Sequence, residues 1–374
     1  MRTHLLRTVG TLVLTGMAIG CREDAELPSA PDIKPSPAVS PTTALVFRQV
    51  SAGGSHNCGI TTDSHLYCWG LNYGGALGIG TFGGPEVVSP VPVASPFRFR
   101  SVSAGVEFTC AVTVFDALYC WGRNEEGQLG NGTTVPSAVP VRAATQTRIR
   151  EVSSGSHHAC AVNVGDIAYC WGRNDHGQVG DATTAQRSVP TRPFGWAHFS
   201  TISAGDEFTC GVTTTNAVTP PRRAYCWGAF SQGHYGDQTT HATTRRPQPV
   251  PGAVEFDSVK AGLTHVCGIS PTHRAYCWGA DHGWLGSPSS GSNFQSTPRL
   301  VSGGRAFRSV DAGTYRSCGV TVHDVAFCWG LGVVNGTPVE SPLPMRVGGD
   351  LLFRQLEAGG SFACGVTTGG KIYC

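Results

Sequence analysis

Fourteen of the fifteen cysteines in this 374-residue chain fall into seven pairs: Cys58/Cys68, Cys110/Cys120, Cys160/Cys170, Cys210/Cys226, Cys267/Cys277, Cys318/Cys328 and Cys364/Cys374. Six pairs are ten residues apart and the fourth is sixteen apart. Thiols so arranged have two chemistries open to them, oxidation to disulfides or thiolate binding of a soft metal. Structural zinc commonly draws on C-x-x-C pairs, and that tetrapeptide does not occur here. The expectation is therefore seven disulfides, with no metal and no cofactor. In CGITTDSHLYCWG the two cysteines lie symmetrically about Asp63. A hairpin turning there sets them opposite one another, within disulfide reach at a non-hydrogen-bonded site. The six extra residues of the fourth pair are an even number, so that hairpin keeps its register. On the chain-entropy model each bridge contributes roughly 2 to 3 kcal/mol.

The elements that must position these cysteines repeat with them. First cysteines recur at intervals of 52, 50, 50, 57, 51 and 46 residues, a period near fifty. Each unit opens on one frame, as in VSAGGSHNCGI, VSAGVEFTCAV, VSSGSHHACAV, ISAGDEFTCGV, VKAGLTHVCGI, VDAGTYRSCGV and LEAGGSFACGV. After a turn come the second cysteine and, in six units, Trp-Gly. Short β-branched and aromatic runs between glycine-rich turns, without a helical period, indicate an all-β chain.

Composition and motifs narrow the chemistry. Lys and Arg total 27 against 25 Asp and Glu. Without Arg2 and Arg7 the balance is zero, which argues against a nucleic-acid partner held by bulk charge. Neither H-E-x-x-H nor G-x-S-x-G occurs, and no nucleophile–base pair stands at a recognisable spacing, so the expectation is a non-enzymatic protein. Gly78, Gly80 and Gly83 spell G-x-G-x-x-G without a strand-to-helix unit around them, so they are turn glycines. Gly365, Gly370 and Lys371 approach a phosphate loop, but Ile372 stands where Ser or Thr is needed.

The N-terminus reads as an address. Arg2 and Arg7 precede the apolar run VGTLVLTGMAIG, so residues 1–20 have the layout of a signal peptide. AIGC resembles a bacterial lipoprotein signal whose Cys21 becomes lipidated, and ordinary secretion is the alternative. Cys21 is also the one cysteine left over from the pairs. Residues 21–44, rich in Pro and Ser, read as an extended tether ahead of a folded body at 45–374. The expected location is outside the cytoplasm, lipid-anchored to a bacterial cell envelope, where oxidation of thiols is favoured.

The run VSAG…H…C…YCWGRNEEGQLGNGT, best preserved at residues 102–134 and 152–184, resembles the regulator of chromosome condensation repeat, and the match extends over residues 45–374. The resemblance implies a seven-bladed β-propeller of about fifty residues per blade. It implies that Trp69, Trp121, Trp171, Trp227, Trp278 and Trp329 pack between blades. Two residues before each first cysteine stand His56, Phe108, His158, Phe208, His265, Arg316 and Phe362. His is usual there in the family and would support turns by hydrogen bonds, while the Phe substitutions argue against a ring of metal ligands. The last unit ends without Trp-Gly, and SPAVSPTTALVF near the start resembles the inter-repeat segments, so two expectations stand: an N-terminal strand that completes the final blade, or a truncated gene product.

Individuality then belongs to the residues that change between blades. Glu107, His157, Asp206, Glu207 and Tyr315, in the loop after Ala-Gly, are the candidate partner-binding residues of one rim, with acidic and aromatic character. Arg222, Arg223, Arg245 and Arg246 in the fourth unit form a second candidate, for an anionic surface. The expected function is a monomeric scaffold that holds a protein or polysaccharide partner through its blade loops. Guanine-nucleotide exchange, the activity that named the family, and inhibition of an extracellular enzyme are the alternatives.

Overall fold

The structure is a computed structural model. It describes residues 45–374 apart from 196–197, 215–221, 230–242, 289–290, 335–336 and 361. The expectations for the signal, the tether, Cys21 and the completing N-terminal strand up to residue 44 lie outside the described residues.

The chain forms seven antiparallel sheets in sequence order, the blades of a β-propeller. Six blades have four strands, and the seventh has three among the described residues. Blade one is typical: Phe47–Ala52, His56–Thr61, Leu66–Gly70 and Val87–Pro92 run from the central axis outward. The inner strands of successive blades touch all the way round, and the first meets the last. That last contact joins residues 305 apart: Val50 N–H donates to Gln355 Oε1 at 3.0 Å, and Gln355 Nε2 donates back to Val50 O at 2.9 Å.

The second strand of blade one, HNCGIT, is buried at every position, as are FTCAVT, HACAVN and FTCGVT in the next three blades. Such a strand is covered on both faces by neighbouring blades, which is why its sequence shows no clean alternation. The core lies between blades. Cys58, Ile60, Cys68 and Leu77 of blade one pack with Phe99, Val102, Ala111 and Trp121 of blade two. Trp121 Nε1 donates to Ala76 O in the preceding blade at 2.9 Å, Trp171 Nε1 to Gln128 O at 2.8 Å, and Trp227 Nε1 to Gln178 O at 2.9 Å. These tryptophans are therefore bolts between blades, each apolar body buried and each N–H satisfied.

The seven cysteine pairs all form disulfides, each within its own blade. Cys58 is bonded to Cys68, Cys110 to Cys120, Cys160 to Cys170 and Cys210 to Cys226. Cys267 is bonded to Cys277, Cys318 to Cys328 and Cys364 to Cys374. The Cα atoms stand 4.0 to 4.1 Å apart in every bridge, the close approach of a non-hydrogen-bonded antiparallel pair. In the first six blades the two cysteines are direct cross-strand partners of the second and third strands. Cys210 and Cys226 keep that register despite the insertion between them. Thr61 N–H donates to His65 O at 2.9 Å, which closes the turn around Asp63. Gly78, Gly80 and Gly83 have φ of 67°, 90° and 65° in the loop after the third strand, as turn glycines would. Lys371 and Gly370 lie in the last hairpin, where Thr367 N–H donates to Lys371 O at 2.9 Å.

The repeated Ala-Gly has a steric cause. At the axis these glycines approach the backbone of the next blade. A Cβ on Gly53 would stand 2.3 Å from Gly105 O, and one on Gly155 would stand 2.1 Å from Gly205 O. In return the ring is laced by backbone hydrogen bonds, such as Gly54 N–H to Gly105 O at 3.0 Å and Gly360 N–H to Gly53 O at 3.3 Å.

Candidate binding face

The loop between the first and second strands opens at one end of the axis, and so does the loop after the third strand. Glu107, His157, Glu207 and Tyr315 occupy one equivalent position in blades two, three, four and six. The carbonyl of each accepts a backbone N–H from the Trp-Gly loop of its own blade: Arg123, Arg173, Ala229 and Leu331, at 2.9 to 3.0 Å. Asp206 stands one residue earlier, on the lip of a shallow axial depression of about 110 Å³. Gly54, Val106, Ser156, Leu263 and Thr314 share that lip. The five expected rim residues are thus on one face, spread round the mouth rather than gathered in a cleft.

Their electrostatics differ from the simple acidic rim the sequence suggests. Arg123 Nη1 lies 2.8 Å from Glu107 and its Nε 2.8 Å from Glu125. The Glu107 hydrogen bond, more than any other contact, holds the Arg123 guanidinium above its ordinary value. Arg173 and His176 of blade three lie 3.7 and 3.4 Å from Glu207 of blade four. Glu107 and Glu207 are therefore matched by arginines contributed by the Trp-Gly loops, and the face alternates in charge over blades two to four. Over blades five and six it is aromatic. The Trp284 ring lies 5.6 Å from Tyr315 and 4.9 Å from His282, and Tyr315 is 43% exposed. Sequence reasoning missed Trp284, although its signal was present: it stands where the second and third units have Gln128 and Gln178.

The histidines before the first cysteines are buried and do not reach the face. His56 Nε2 lies 2.7 Å from Thr109 Oγ1, His158 Nε2 2.8 Å from Thr209 Oγ1, and His265 Nε2 2.8 Å from Ser317 Oγ, each time in the next blade. Those hydroxyls donate to the loop carbonyls of Ala76, Gln178 and Trp284 at 2.8 to 2.9 Å. The support runs across a blade interface and only then to a loop. Burial drives the His56 imidazole down to about 4 and the His158 imidazole to about 3, so both are neutral.

The channel wall carries a second set that sequence reasoning missed. The Ser of V-S-A-G becomes Lys260, Asp311 and Glu357 in the last three units. Ser51 Oγ accepts Ala104 N–H at 3.0 Å, and Asp311 Oδ2 accepts Ala358 N–H at 2.6 Å, so either side chain can link inner strands. Glu357, Asp311 and, from blade three, Glu151 hold the Lys260 ammonium above its ordinary value against the effect of burial. Burial, and next the Glu357 carboxylate, push Asp311 up to about 7.

The four blade-four arginines do not converge. The third strand, Ala224–Gly228, pairs antiparallel with the outer strand, Thr244–Pro249, so Arg222 and Arg223 lie at one end and Arg245 and Arg246 at the other. Arg222 pairs with Asp257, Arg223 donates to Gly252 O at 2.6 Å, and Arg246 stacks 3.8 Å over the Phe194 ring. Among the described residues no group of three His, Cys, Asp or Glu side chains converges as metal ligands.

The human E3 ubiquitin-protein ligase HERC2 is 27% identical over 285 residues, 74% of this chain and 6% of its own length. The Arabidopsis thaliana ultraviolet-B receptor UVR8 is 34% identical over 94 residues, 25% of this chain and 21% of its own length. The chain thus spans only a small part of these curated relatives. Among solved structures, human WBSCR16 superposes with a TM-score of 0.77 at 17% identity, over 87% of this chain and 88% of that one. Yeast RCC1 (Prp20), solved bound to Kap60, superposes at 0.74 with 20% identity, over 85% and 79%. Identities this low show the shared propeller fold. The model of the RCC1-like domain matches residues 15–364, and the chain belongs to that family.

Proposed function

We propose that the protein is a non-enzymatic scaffold that binds a protein partner on the face carrying Glu107, His157, Asp206, Glu207 and Tyr315. The observation that carries this reading is the placement of these variable residues at equivalent or adjacent backbone positions round one mouth, on a ring otherwise built from repeated parts. Matched charges on blades two to four beside the Trp284–Tyr315 aromatic pair make a surface of the composition that protein interfaces favour, Tyr, Trp and Arg above all. The axial depression of about 110 Å³ is well below the roughly 300 to 1,000 Å³ of small-molecule clefts, which favours recognition by a surface. Yeast Prp20p, a structural neighbour with a TM-score of 0.72, has described binding properties to Gsp1p and histones, and a protein partner for this chain is in keeping with that.

In this reading residues 1–20 export the chain, Cys21 carries lipid, and residues 21–44 hold a monomeric propeller away from an envelope membrane. Oxidised cysteine pairs support an oxidising compartment. Site-specific photocrosslinking in the producing cell tests the binding face. A crosslinker in place of Tyr315 captures a discrete protein, and one in place of Phe115, on the opposite-end hairpin of blade two, does not. Equal capture from both ends, or saccharide captured at Tyr315 in place of protein, would defeat the reading.

A further inference from the structure

The Trp-Gly loops of blades one to three are organised round a buried asparagine. Asn72, Asn124 and Asn174 are 2%, 0% and 1% exposed. In blade two Asn124 Nδ2 donates to Thr133 O at 3.1 Å and Val135 O at 2.9 Å, and Asn131 Oδ1 stands at 3.5 Å. In blade three Asn174 Nδ2 donates to Thr183 O at 3.2 Å, Ala185 O at 2.9 Å and Asp181 Oδ1 at 3.2 Å. Asn124 Oδ1 and Asn174 Oδ1 each accept a backbone N–H at 2.9 Å, from Leu129 and Val179. The amide NH2 is thus the positive centre of a cage of oxygens, and the loop closes round it.

The blade-five loop is one residue shorter between Trp-Gly and Leu-Gly, and its centre is changed: Asp281 N–H donates to Asn293 O at 2.9 Å. Aligned on Trp-Gly, Asp281 takes the asparagine position; aligned on Leu-Gly, Ser287 takes the place of Asn131 and Asp181. Asp281 is 5% exposed and Ser287 3%. Asp281 Oδ1, Asp281 Oδ2 and Ser287 Oγ have no hydrogen-bond partner among the described residues. In the sequence an acceptor stands where blades one to three have the amide donor. A buried carboxylate with no partner is one of the costliest groups a fold can carry.

We propose that Asp281 and Ser287 hold a hard cation at the centre of the blade-five loop, in the role the asparagine NH2 plays in blades one to three. A carboxylate with a hydroxyl is an oxygen donor set, suited to an ion of the calcium or sodium type and unsuited to the thiophilic metals. The cation supplies the charge that draws these oxygens together, and its affinity appears as folding stability.

Thermal unfolding of the full chain, stripped of metals in choline chloride, tests this. Addition of CaCl2 or NaCl should raise Tm by roughly 2 to 4 °C at about a hundredfold excess over Kd. A rise with calcium alone identifies a divalent site, and a rise with sodium alone a monovalent one. Asp281→Asn, which restores the arrangement of the other blades, should be more stable than the native chain in choline and indifferent to both ions. Ser287→Ala should keep the response but need several-fold more cation. A native Tm that does not respond to either ion, a rise matched by extra choline chloride, or an Asp281→Asn variant that responds like the native chain would overturn the assignment.

Discussion

His56 Nε2 sits 2.7 Å from Thr109 Oγ1 of the next blade, and Thr109 returns its own proton to Ala76 O at 2.9 Å in the blade that His56 came from. Where the sequence has Phe in place of His, the facing residue changes with it. Phe108 shares a core cluster with Ala159, and Phe208 one with Val266. At these interfaces, from blade one to blade six, a polar residue meets a polar one and an apolar residue an apolar one; Arg316 with Ala363 and Phe362 with Asn57, on either side of blade seven, do not follow this. Half of such a pair leaves a buried donor unmatched.

Substitution of the pair as a unit is therefore expected to be milder than its halves suggest. Thr109→Ala should cost about 1 to 3 kcal/mol by stranding the imidazole N–H. His56→Phe together with Thr109→Ala reproduces the arrangement of Phe108 and Ala159, and should fall short of the summed single effects by about 0.5 to 2 kcal/mol. A double-mutant cycle by denaturant unfolding with the disulfides intact measures this. Strict additivity would show that the hydrogen bond has no energetic meaning.

The same histidines set an acid limb. Their folded values, about 4 for His56 and about 3 for His158, lie below the ordinary 6.5, so their contribution is present above pH 6.5 and lost as pH falls through the folded values. Each is expected to remove roughly 1.4 kcal/mol per pH unit in that window. Asp311, raised to about 7, acts in the opposite sense: its contribution is present below about pH 4 and lost as pH rises through 7. Unfolding free energies from pH 3 to 8 should show the paired His56→Phe/Thr109→Ala variant with a shallower acid limb. Asp311→Asn should show a steeper one, because the opposing slope is gone.

At the axis, Gly155→Ala is expected to be severe, because its Cβ would meet Gly205 O at 2.1 Å and backbone cannot retreat cheaply. A loss of at least about 3 kcal/mol, or failure to fold, is the expected outcome. Gly80→Ala is the control. Nothing lies within 4 Å of its Cβ, and only its φ of 90° is strained, for about 1 to 2 kcal/mol. Thermal melts of the two variants should differ plainly.

Covalent chemistry offers a separate check. Cys374 is exposed and Cys328 half-buried, whereas the other paired cysteines, Cys120, Cys170 and Cys277 among them, are fully buried. Brief treatment with reductant and an alkylating agent should label Cys374 first. Intact mass spectrometry of the cell-derived protein should find an acylated Cys21 at the N-terminus and no free thiol. An unmodified Cys21 within a longer chain would remove the anchor from the proposed function.

Much of this was legible in the chain. The ten-residue cysteine spacing states that each pair lies across a hairpin, because opposite positions in a two-stranded ladder are a local matter. The period near fifty, the Ala-Gly and the Trp-Gly stated how many blades to expect and which residues the blades share. Which neighbour a residue meets was not local. Thr109 is buried beside His56 because a ring places the second strand of one blade against the next, across 53 residues of chain. Lys260, Asp311, Glu357 and Glu151 act on one another only because four inner strands converge on one axis. Glu207 read as a bare acid until the ring brought Arg173 and His176 of the preceding blade to it. Periodic residue types determine the repeated unit, since its contacts recur at constant separation; closing that unit into a ring decides charge pairing and burial, since those depend on distances through space that no spacing along the chain records.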